Sequence, residues 1–544
     1  MSRYLVTVET VKIKDFIFST NKLKLIRGAS YLLDYLNQVE VPAILKNNEL
    51  DKDRDVIYIG AGNAKFFVDT EERAKKIIKE IKDKYKTEAP NAKIAASYRE
   101  TTFDGRSSEK GKEKIWEVMD NLAQDVAVEK SKGFSALNID LPFIKKCDLC
   151  GNNPVEVSVD NLEEDLENLG IYLLDKEEIN KLKGQIKKLS QDEKICEECL
   201  RKLISSNRIK LDKEKIGFYG KVKEEFGEIN FENTEIEDYE GSKSFIGFMY
   251  SDGDGLGDFL KNISEEFKKE NSEEAEKKYV EFLKDFSKTL DENTKSALMK
   301  VLKNKREILV KEKGVIGEFL IVGGDDVCAV FSPDLVIEIS NEFQKEFESL
   351  MLEYANENKI DTRITSSSGV VIAKSKTPMF HLFDQALGLQ KKAKAERYRN
   401  GEKTTGYIDF QVIGSEGCVD ITAFRNKISP EENKVMERPY RVNEEKKHKE
   451  TLDSLIKKIK EFKEKDFPKT KLRYIYDLKT GNNLEEYEKK MEFVNTLSKM
   501  KENHIELVKI DYKDYENFNK NFSDIFDVLE LYDFVGGDNS EDKL

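Results

Sequence analysis

Two acidic turns in the second half of the chain carry the residue types that hold divalent metal ions over a phosphate group. The first is Asp252-Gly-Asp-Gly-Leu-Gly-Asp258, which follows an apolar run and precedes a helical pattern. The second is Gly323-Gly-Asp-Asp326, which lies between two apolar runs and is predicted to form the tip of a β-hairpin. If the flanking strands are neighbours, three carboxylates meet: those of Asp252, Asp325 and Asp326.

These carboxylates suit the transfer of a nucleotidyl group. Joining a hydroxyl to an α-phosphate needs in-line geometry and neutralised charge, and a pair of divalent cations supplies both. Magnesium prefers hard oxygen ligands, so we predict that Asp252, Asp325 and Asp326 are catalytic and bind Mg²⁺ or Mn²⁺. Gly and Asp are common in turns, so either motif alone would be weak. Together, in this order, they follow the logic of a nucleotide-polymerising palm domain.

The turns and a later helical segment also carry residues suited to contacting a nucleotide. Glycines let the backbone approach a phosphate because no Cβ stands in the way, and free amides at a helix start can bind phosphate oxygens. Two lysines on the later helix could reach a triphosphate, although an exposed helix face is an equally good interpretation. The predicted nucleotide-binding residues are Gly253, Gly255, Gly323, Gly324, Lys391 and Lys394. Asp254 and Asp258 are expected to serve helix N-terminal charge or capping.

The strand and helix patterns predict an α+β fold. Residues 1–140 and 216–425 repeat one order of strands, turns and helices, which predicts two duplicated ferredoxin-like palm domains. Residues 141–215 are predicted to form a zinc-binding insert with helices. Residues 426–544 are predicted to form a C-terminal α-helical bundle with a frayed tail. Chance alignment of short turn segments is the alternative to duplication.

The predicted duplication depends on two short alignments. Glu9–Phe16 aligns with Asp252–Phe259, and Gly60–Asn63 aligns with Gly323–Asp326. The first copy lacks both carboxylates of the second turn. We therefore expect it to bind no catalytic metal by itself.

Four of the six cysteines form two Cys-x-x-Cys pairs. Thiolates at this spacing suit a tetrahedral zinc site with four sulfur ligands. Disulfides are disfavoured in a cytosolic chain, and a redox function of one pair is the other alternative. The predicted ligands of a structural Zn²⁺ ion are Cys147, Cys150, Cys196 and Cys199.

Composition and charge exclude several classes of protein. The net charge of −14 over 544 residues argues against a nonspecific nucleic-acid coat, but allows RNA in a local basic channel. No run of about 18 apolar residues exists and the N-terminus has a strand pattern, so we expect a cytoplasmic protein without a membrane partner. The three histidines have no metal-ligand spacing, which disfavours histidine–aspartate nucleases, zinc proteases and serine-type triads.

The sequence resembles the large polymerase-like subunit of type III CRISPR effector complexes along essentially its whole length. The points of resemblance are Asp15-Phe-Ile-Phe-Ser-Thr20, Leu25-Ile-Arg-Gly-Ala-Ser30, the four cysteines, both acidic turns and the strand–helix run 363–394. The resemblance implies conversion of ATP into cyclic oligoadenylates when target RNA is bound, with metal held by the three aspartates. It also implies several partners: a small helical subunit, a subunit that binds the guide-RNA end, guide RNA and target RNA.

The chain departs from that family in one respect. Many members begin with a histidine–aspartate nuclease domain, whereas this sequence begins at the first palm, so no DNase activity is expected. The departure leaves open whether the protein joins a guide-RNA complex or acts alone. A non-catalytic scaffold subunit is one alternative function. The other is a stand-alone palm-domain cyclase that uses another nucleotide, as diguanylate cyclases with similar acidic hairpins do.

Overall fold

The computed structural model describes residues 3–103, 113–132, 143–172, 174–209, 217–227, 235–313, 317–414, 420–429, 434–443, 451–481, 485–508 and 522–536. Within these ranges the fold is mixed α+β, as the sequence predicted. Two large sheets, one two-stranded sheet and many helices make up the structure.

The first large sheet has four antiparallel strands. These are β1 (Arg3–Val11), β2 (Val56–Gly60), β3 (Asn63–Val68) and β4 (Lys93–Thr101), in the order β2-β3-β1-β4. Helices connect or flank these strands: α1 (Ile13–Ile17), α2 (Leu23–Tyr35), α3 (Val41–Asn47), α4 (Lys52–Asp55), α5 (Glu71–Glu88) and α6 (Ile115–Ser131), with a π-helical turn over Leu36–Glu40. The hydroxyl oxygen of Thr70 accepts a backbone hydrogen bond and starts α5.

A small insert follows the first sheet. It contains β5 (Val157–Ser158), α7 (Leu162–Asn168), α8 (Lys176–Leu189), β6 (Lys194–Ile195) and α9 (Glu197–Arg208). Helix α9 lies directly against α2, because Gly28 has no side chain: a Cβ there would lie 1.8 Å from the carbonyl oxygen of Lys202. The buried Lys202 ammonium donates to the carbonyl oxygen of Phe16 (2.6 Å) and to the hydroxyl of Ser19 (2.7 Å). The insert is thus anchored on α1 and α2.

The second large sheet has six strands in the order β12-β11-β10-β7-β9-β8. They are β7 (Phe245–Gly253), β8 (Glu318–Gly323), β9 (Asp326–Phe331), β10 (Ser366–Lys374), β11 (Tyr407–Ile413) and β12 (Tyr440–Arg441). The run β8-β9-β7-β10 repeats the order β2-β3-β1-β4 of the first sheet. β11 adds a parallel neighbour to β10. Because β12 pairs with β11, this sheet extends past the boundary predicted at residue 425.

Helices pack on both faces of the second sheet. The helices of this half of the molecule are α10 (Gly217–Phe226), α11 (Leu256–Glu270), α12 (Glu273–Asn304), α13 (Arg306–Lys313), α14 (Val336–Glu357), α15 (Met379–Arg399) and α16 (Ile421–Ile428). Helices α12 and α14 pack on one face of the sheet and α15 packs on the other. Short 3₁₀ turns cover Ile236–Tyr239 and Ser242–Ser244. One apolar cluster joins β1, β3, α2 and α5 to β7, β10 and α15, so the two large sheets share a core.

The C-terminal part is helical. Its described helices are α17 (Leu452–Glu464), α18 (Lys469–Thr480), α19 (Glu486–Ser498), α20 (Glu502–Val508) and α21 (Ile525–Leu531). Asp527 on α21 is fully buried and accepts hydrogen bonds from Arg438 Nε and the Tyr440 hydroxyl, each at 2.6 Å. These bonds attach the helices to the edge of the second sheet. No helix in the described part of the chain is both long and apolar enough to cross a lipid bilayer.

A buried ion pair joins the two halves of the molecule. Arg27 on α2 donates to both carboxylate oxygens of Glu318 at the start of β8, with Nε 2.7 Å from Oε1. The hydroxyls of Tyr219 and Tyr239 donate to the same carboxylate. The Arg27 and Glu318 side chains are 1% and 0% exposed. Buried charges are tolerated when they are paired and hydrogen-bonded, so this network requires both halves.

Candidate active site

The three predicted carboxylates meet at one end of the second sheet. Strands β7 and β9 are antiparallel neighbours with Ser251 opposite Val327, so Asp252 and Asp326, one residue further along, lie at the same end. Asp325 occupies the turn immediately before β9. The structure therefore brings together the residues that the sequence pointed to.

Gly253 fixes the position of Asp325. Its backbone N–H donates to Asp325 Oδ2 at 3.2 Å. A Cβ at Gly253 would lie 2.8 Å from that oxygen, closer than real Cβ atoms approach, and 3.0 Å from the Asp325 Cβ. A side chain at this position would therefore displace the carboxylate.

Helix α12 holds the Gly-Gly-Asp-Asp turn from the side. The N–H of Gly324 donates to Asp291 Oδ1 (3.0 Å), and the Thr294 hydroxyl donates to the Gly324 carbonyl oxygen (2.7 Å). Lys295 in turn binds Asp291 Oδ2 at 2.6 Å. Gly324 has a φ of +61°, which favours glycine. Both backbone groups of this residue are thus bound by one helix, a contact that no local sequence pattern indicates.

Of the two predicted lysines, only Lys394 contacts the carboxylates. Its Nζ donates to Asp252 Oδ2 and to the carbonyl oxygen of Gly253, the latter at 2.6 Å. Gln390, one turn earlier on α15, donates to the same Asp252 oxygen at 3.2 Å. Lys391 is exposed, and no bond from it to the acidic turns is found among the described residues. For Lys391 the exposed helix face is the interpretation that the structure supports.

Two residues that the sequence reasoning missed complete the surroundings of Asp326. The Tyr250 hydroxyl donates to Asp326 Oδ1 at 2.5 Å, and Lys14 Nζ on α1 donates to that hydroxyl at 2.6 Å. Strand alternation could have identified Tyr250, since it lies two residues before Asp252 and hence on the same face. No sequence signal connects Lys14 with a strand 236 residues away.

The carboxylates perturb one another. Burial raises the pKa of Asp325 to about 7, and repulsion from Asp252 and Asp326 adds to the effect. Burial, followed by the charge of Asp252, also raises the pKa of Asp326. Burial and the charge of Asp326 raise the pKa of Tyr250, which keeps its hydroxyl protonated as a donor. A divalent cation would relieve this repulsion, so the donor set fits Mg²⁺ or Mn²⁺.

The other acidic residues of the first turn have separate surroundings. Asp254 is buried and accepts hydrogen bonds from the hydroxyls of Thr365 (2.8 Å) and Ser367 (3.0 Å). It therefore links β7 to β10, a role different from the predicted charge at the helix start. Asp258 is exposed in the first turn of α11, in agreement with that role. Gly255 precedes α11 with a φ of +64°, which favours glycine there.

The four predicted zinc ligands converge. The sulfur atoms of Cys147, Cys150, Cys196 and Cys199 all lie within 4.8 Å of one another. The sulfurs of Cys150 and Cys196 are 3.8 Å apart. Tetrahedral Zn–S bonds of about 2.3 Å place ligand sulfurs about 3.8 Å apart, so the cluster fits a zinc ion. It lies at the start of α9, the helix that packs on α2.

The first sheet carries the same register at the corresponding position. Glu9 is opposite Asn63 on β1 and β3, as Asp252 is next to Asp326 on β7 and β9. Gly60 pairs with Asn63 as Gly323 pairs with Asp326 across the second hairpin. Glu9 is paired with the ammonium of Lys130. At these positions the first sheet offers one carboxylate where the second offers three.

Comparison with known proteins identifies two domain families in the chain. The family described as Cas10/Cmr2, second palm domain, matches residues 245–402, which include all three clustered aspartates. The family described as Csm1 subunit domain B matches residues 3–145. A search of curated protein sequences found no match.

Solved structures share the fold over almost the whole chain. A Csm1–Csm4 cassette in complex with AMPPNP matches with a TM-score of 0.52 and 14% identity, covering 97% of this chain and 70% of the other. The cassette in complex with cA4 matches with a TM-score of 0.53, 14% identity and the same coverage. The Csm1–Csm4 subcomplex of the type III-A CRISPR-Csm interference complex matches with a TM-score of 0.54, again at 14% identity, 97% and 70%. The predicted resemblance to the large subunit of type III CRISPR complexes is thereby confirmed.

Proposed function

We propose that the protein is a metal-dependent nucleotidyltransferase that converts ATP into cyclic oligoadenylates, working as the large subunit of a cytoplasmic type III CRISPR RNA-guided complex. The observation that carries this proposal is the meeting of three aspartates at the ends of β7 and β9, inside the range that matches a Cas10/Cmr2 palm domain. The solved relatives support the substrate class, since their complexes contain AMPPNP and cA4.

The chain's own residues divide the work at the site. Asp252, Asp325 and Asp326 would hold Mg²⁺ or Mn²⁺, which when bound lowers the pKa of the attacking hydroxyl and stabilises the leaving pyrophosphate. Lys394 binds Asp252 in the free site. A triphosphate is a stronger acceptor for an ammonium group, so Lys394 would exchange that contact for a phosphate oxygen. Gly253 keeps Asp325 in place through its N–H.

The remaining glycines would let the nucleotide approach the backbone. Gly323 and Gly324 form the hairpin tip without a Cβ, and Gly255 leads into the N-terminus of α11. Amides at the start of that 15-residue helix carry partial positive charge and suit phosphate oxygens. Lys391 is exposed, and its contact with a triphosphate stays a prediction.

We further propose that the two large sheets are duplicated ferredoxin-like palm domains. The shared strand order and the shared hairpin register support this. The first palm would occupy about 1–140, the insert 141–215 and the second palm 216 onward, with the end of its sheet at Arg441. The insert would bind one structural Zn²⁺ through its four cysteines. The proposed partners are a small helical subunit, the subunit at the guide-RNA end, guide RNA and target RNA.

The proposal is tested by incubating zinc-loaded protein with each labelled nucleoside triphosphate and Mg²⁺ or Mn²⁺, with and without guide and target RNA. Cyclic oligoadenylate should form from ATP, and the double variant Asp325→Ala/Asp326→Ala should form none. Asp258→Ala is the matched control, because it removes an exposed aspartate of the same turn. Absence of product from folded wild type under every condition would favour a scaffold subunit. Preference for GTP would favour a diguanylate-cyclase-like enzyme.

A further inference from the structure

We propose that Tyr250 positions Asp326 for metal binding, and that Lys14 from the first half of the molecule fixes the direction of the tyrosine hydroxyl. The inference rests on the proposed function, because it assigns two positioning residues to the same site. Neither residue belongs to the acidic turns. Lys14 reaches the second sheet from α1, so the first half contributes directly to the carboxylate cluster.

Hydrogen-bond chemistry sets the direction of this chain of groups. A lysine ammonium can only donate, a carboxylate can only accept, and a tyrosine hydroxyl has a single proton. The Tyr250 oxygen, 2.6 Å from Lys14 Nζ, must therefore accept from the lysine. Its own proton is given to Asp326 Oδ1, 2.5 Å away. The direction of both bonds follows from the three residue types.

The consequence for Asp326 is a fixed carboxylate with one oxygen engaged. Oδ1 is held by the tyrosine, which leaves Oδ2 as the oxygen for a cation. Hydrogen bonds from outside orient the ligands of metal sites in this way, and losing them weakens metal binding. Asp326 begins β9, and among the described residues the bond from Tyr250 is the one hydrogen bond that its carboxylate accepts.

Both positioning residues are themselves held in place. Tyr250 is 2% exposed, and its ring lies edge-on to Phe383 with centroids 5.4 Å apart. The Lys14 ammonium lies 4.2 Å from the Tyr250 ring centroid and 5.0 Å from that of Phe383, a favourable cation–π arrangement. Helix α1 is itself anchored, because Lys202 donates to the carbonyl oxygen of Phe16, two residues after Lys14. The lysine is thus presented from a fixed backbone.

The test is a Mn²⁺ titration of the zinc-loaded protein of 544 residues, measured by calorimetry in the presence of a nonhydrolysable ATP analogue. Tyr250→Phe keeps the ring packing and removes the donor, so it should weaken Mn²⁺ binding roughly 10- to 100-fold. Tyr98→Phe is the matched control, since its hydroxyl donates to Glu71 at 2.8 Å on the first sheet, away from the cluster. That control should leave Mn²⁺ affinity unchanged, and thermal unfolding should show both variants folded.

A double-mutant cycle tests the part assigned to Lys14. Lys14→Met also removes a positive charge that repels the metal, but this direct effect is present with or without the tyrosine hydroxyl and cancels in the cycle. The remaining coupling with Tyr250→Phe should be roughly threefold to tenfold in Mn²⁺ affinity. Lys14→Arg keeps a donor and should restore most of the binding.

The outcomes separate this inference from the proposed function. If wild type shows no Mn²⁺ binding that the double variant Asp325→Ala/Asp326→Ala abolishes, both the proposed function and this inference are overturned. Wild-type binding at that site, with Tyr250→Phe within about twofold of it, would overturn the positioning role alone. A cycle without coupling would overturn the assignment of Lys14. Weakened binding in Tyr250→Phe together with coupling to Lys14 would support the whole inference.

Discussion

Replacing Gly253 by alanine should disable the proposed active site while the fold survives, because the added methyl group meets one of the three clustered carboxylates. A Cβ at this position would lie 2.8 Å from Asp325 Oδ2 and 2.7 Å from a methyl carbon of Leu256. Gly257 provides a matched control on the same turn. A Cβ at Gly257 meets nothing within 4 Å.

The size of the effect follows from these distances. Ordinary contact begins at 3.4 Å, so the Asp325 oxygen must move by about 0.6 Å. The backbone of Gly253 cannot yield easily, since it pairs with Ser366 on the neighbouring strand. Overpacking of this kind costs about 1–3 kcal/mol of folding stability. A catalytic group misplaced by about 1 Å can cost about 100-fold in rate. We therefore expect Gly253→Ala to lower the rate of ATP conversion roughly 10- to 100-fold.

The assay compares initial rates of ATP conversion at saturating Mg²⁺ for wild type, Gly253→Ala and Gly257→Ala. Gly257→Ala should keep the wild-type rate and gain up to about 1 kcal/mol of stability, because alanine is the better helix former. Thermal unfolding of all three proteins shows whether the loss of rate is local. The reasoning is refuted if folded Gly253→Ala works within about threefold of Gly257→Ala.

Four further outcomes are expected. Because the pKa of Asp325 is about 7 in the metal-free fold, a bound cation displaces its proton, and Mn²⁺ affinity should fall about tenfold per pH unit below pH 7 in titrations from pH 6 to 8. Because burial raises this pKa from 3.8 to about 7, stability is lost as pH rises from about 4 to about 7, so Asp325→Asn should raise the melting temperature of metal-free protein more at pH 8 than at pH 5. Asp291→Ala leaves the Gly324 N–H without its acceptor and should lower kcat about tenfold, and an unchanged kcat would contradict the role of α12. Cys150→Ser should reduce the zinc content measured by elemental analysis and lower the melting temperature by several degrees, since metal binding adds to folding stability.

Local chemistry made the core of the site predictable from sequence. The glycines and aspartates identify the two acidic turns, and the apolar runs beside them predict strands. The step from two turns to one site needed only that β7 and β9 be neighbours, which the structure bears out. The cysteine pairs could be predicted as zinc ligands for the same reason, because the Cys-x-x-Cys spacing is a local pattern.

Contacts made by elements distant in sequence could not be predicted. Lys14 and Asp291 contact the site because α1 and α12 pack beside it. The sequence around each residue carries no motif that predicts this contact. The two lysines of α15 lie at different positions around the helix. With Leu389 and Ala393 buried, Lys394 reaches Asp252 and Lys391 is exposed. The end of the second sheet was missed because β12 has two residues, too few to show alternation.

The pair formed by Arg27 and Glu318 has a practical bearing on any attempt to dissect the molecule. A fragment that carried only one partner would leave the other charge unpaired, and losing one partner of a buried ion pair costs about 3–5 kcal/mol. Truncations meant to isolate the half that carries the three clustered aspartates should therefore also replace Glu318 with an uncharged residue. Alternatively, the missing half can be co-expressed so that the fragments reassociate.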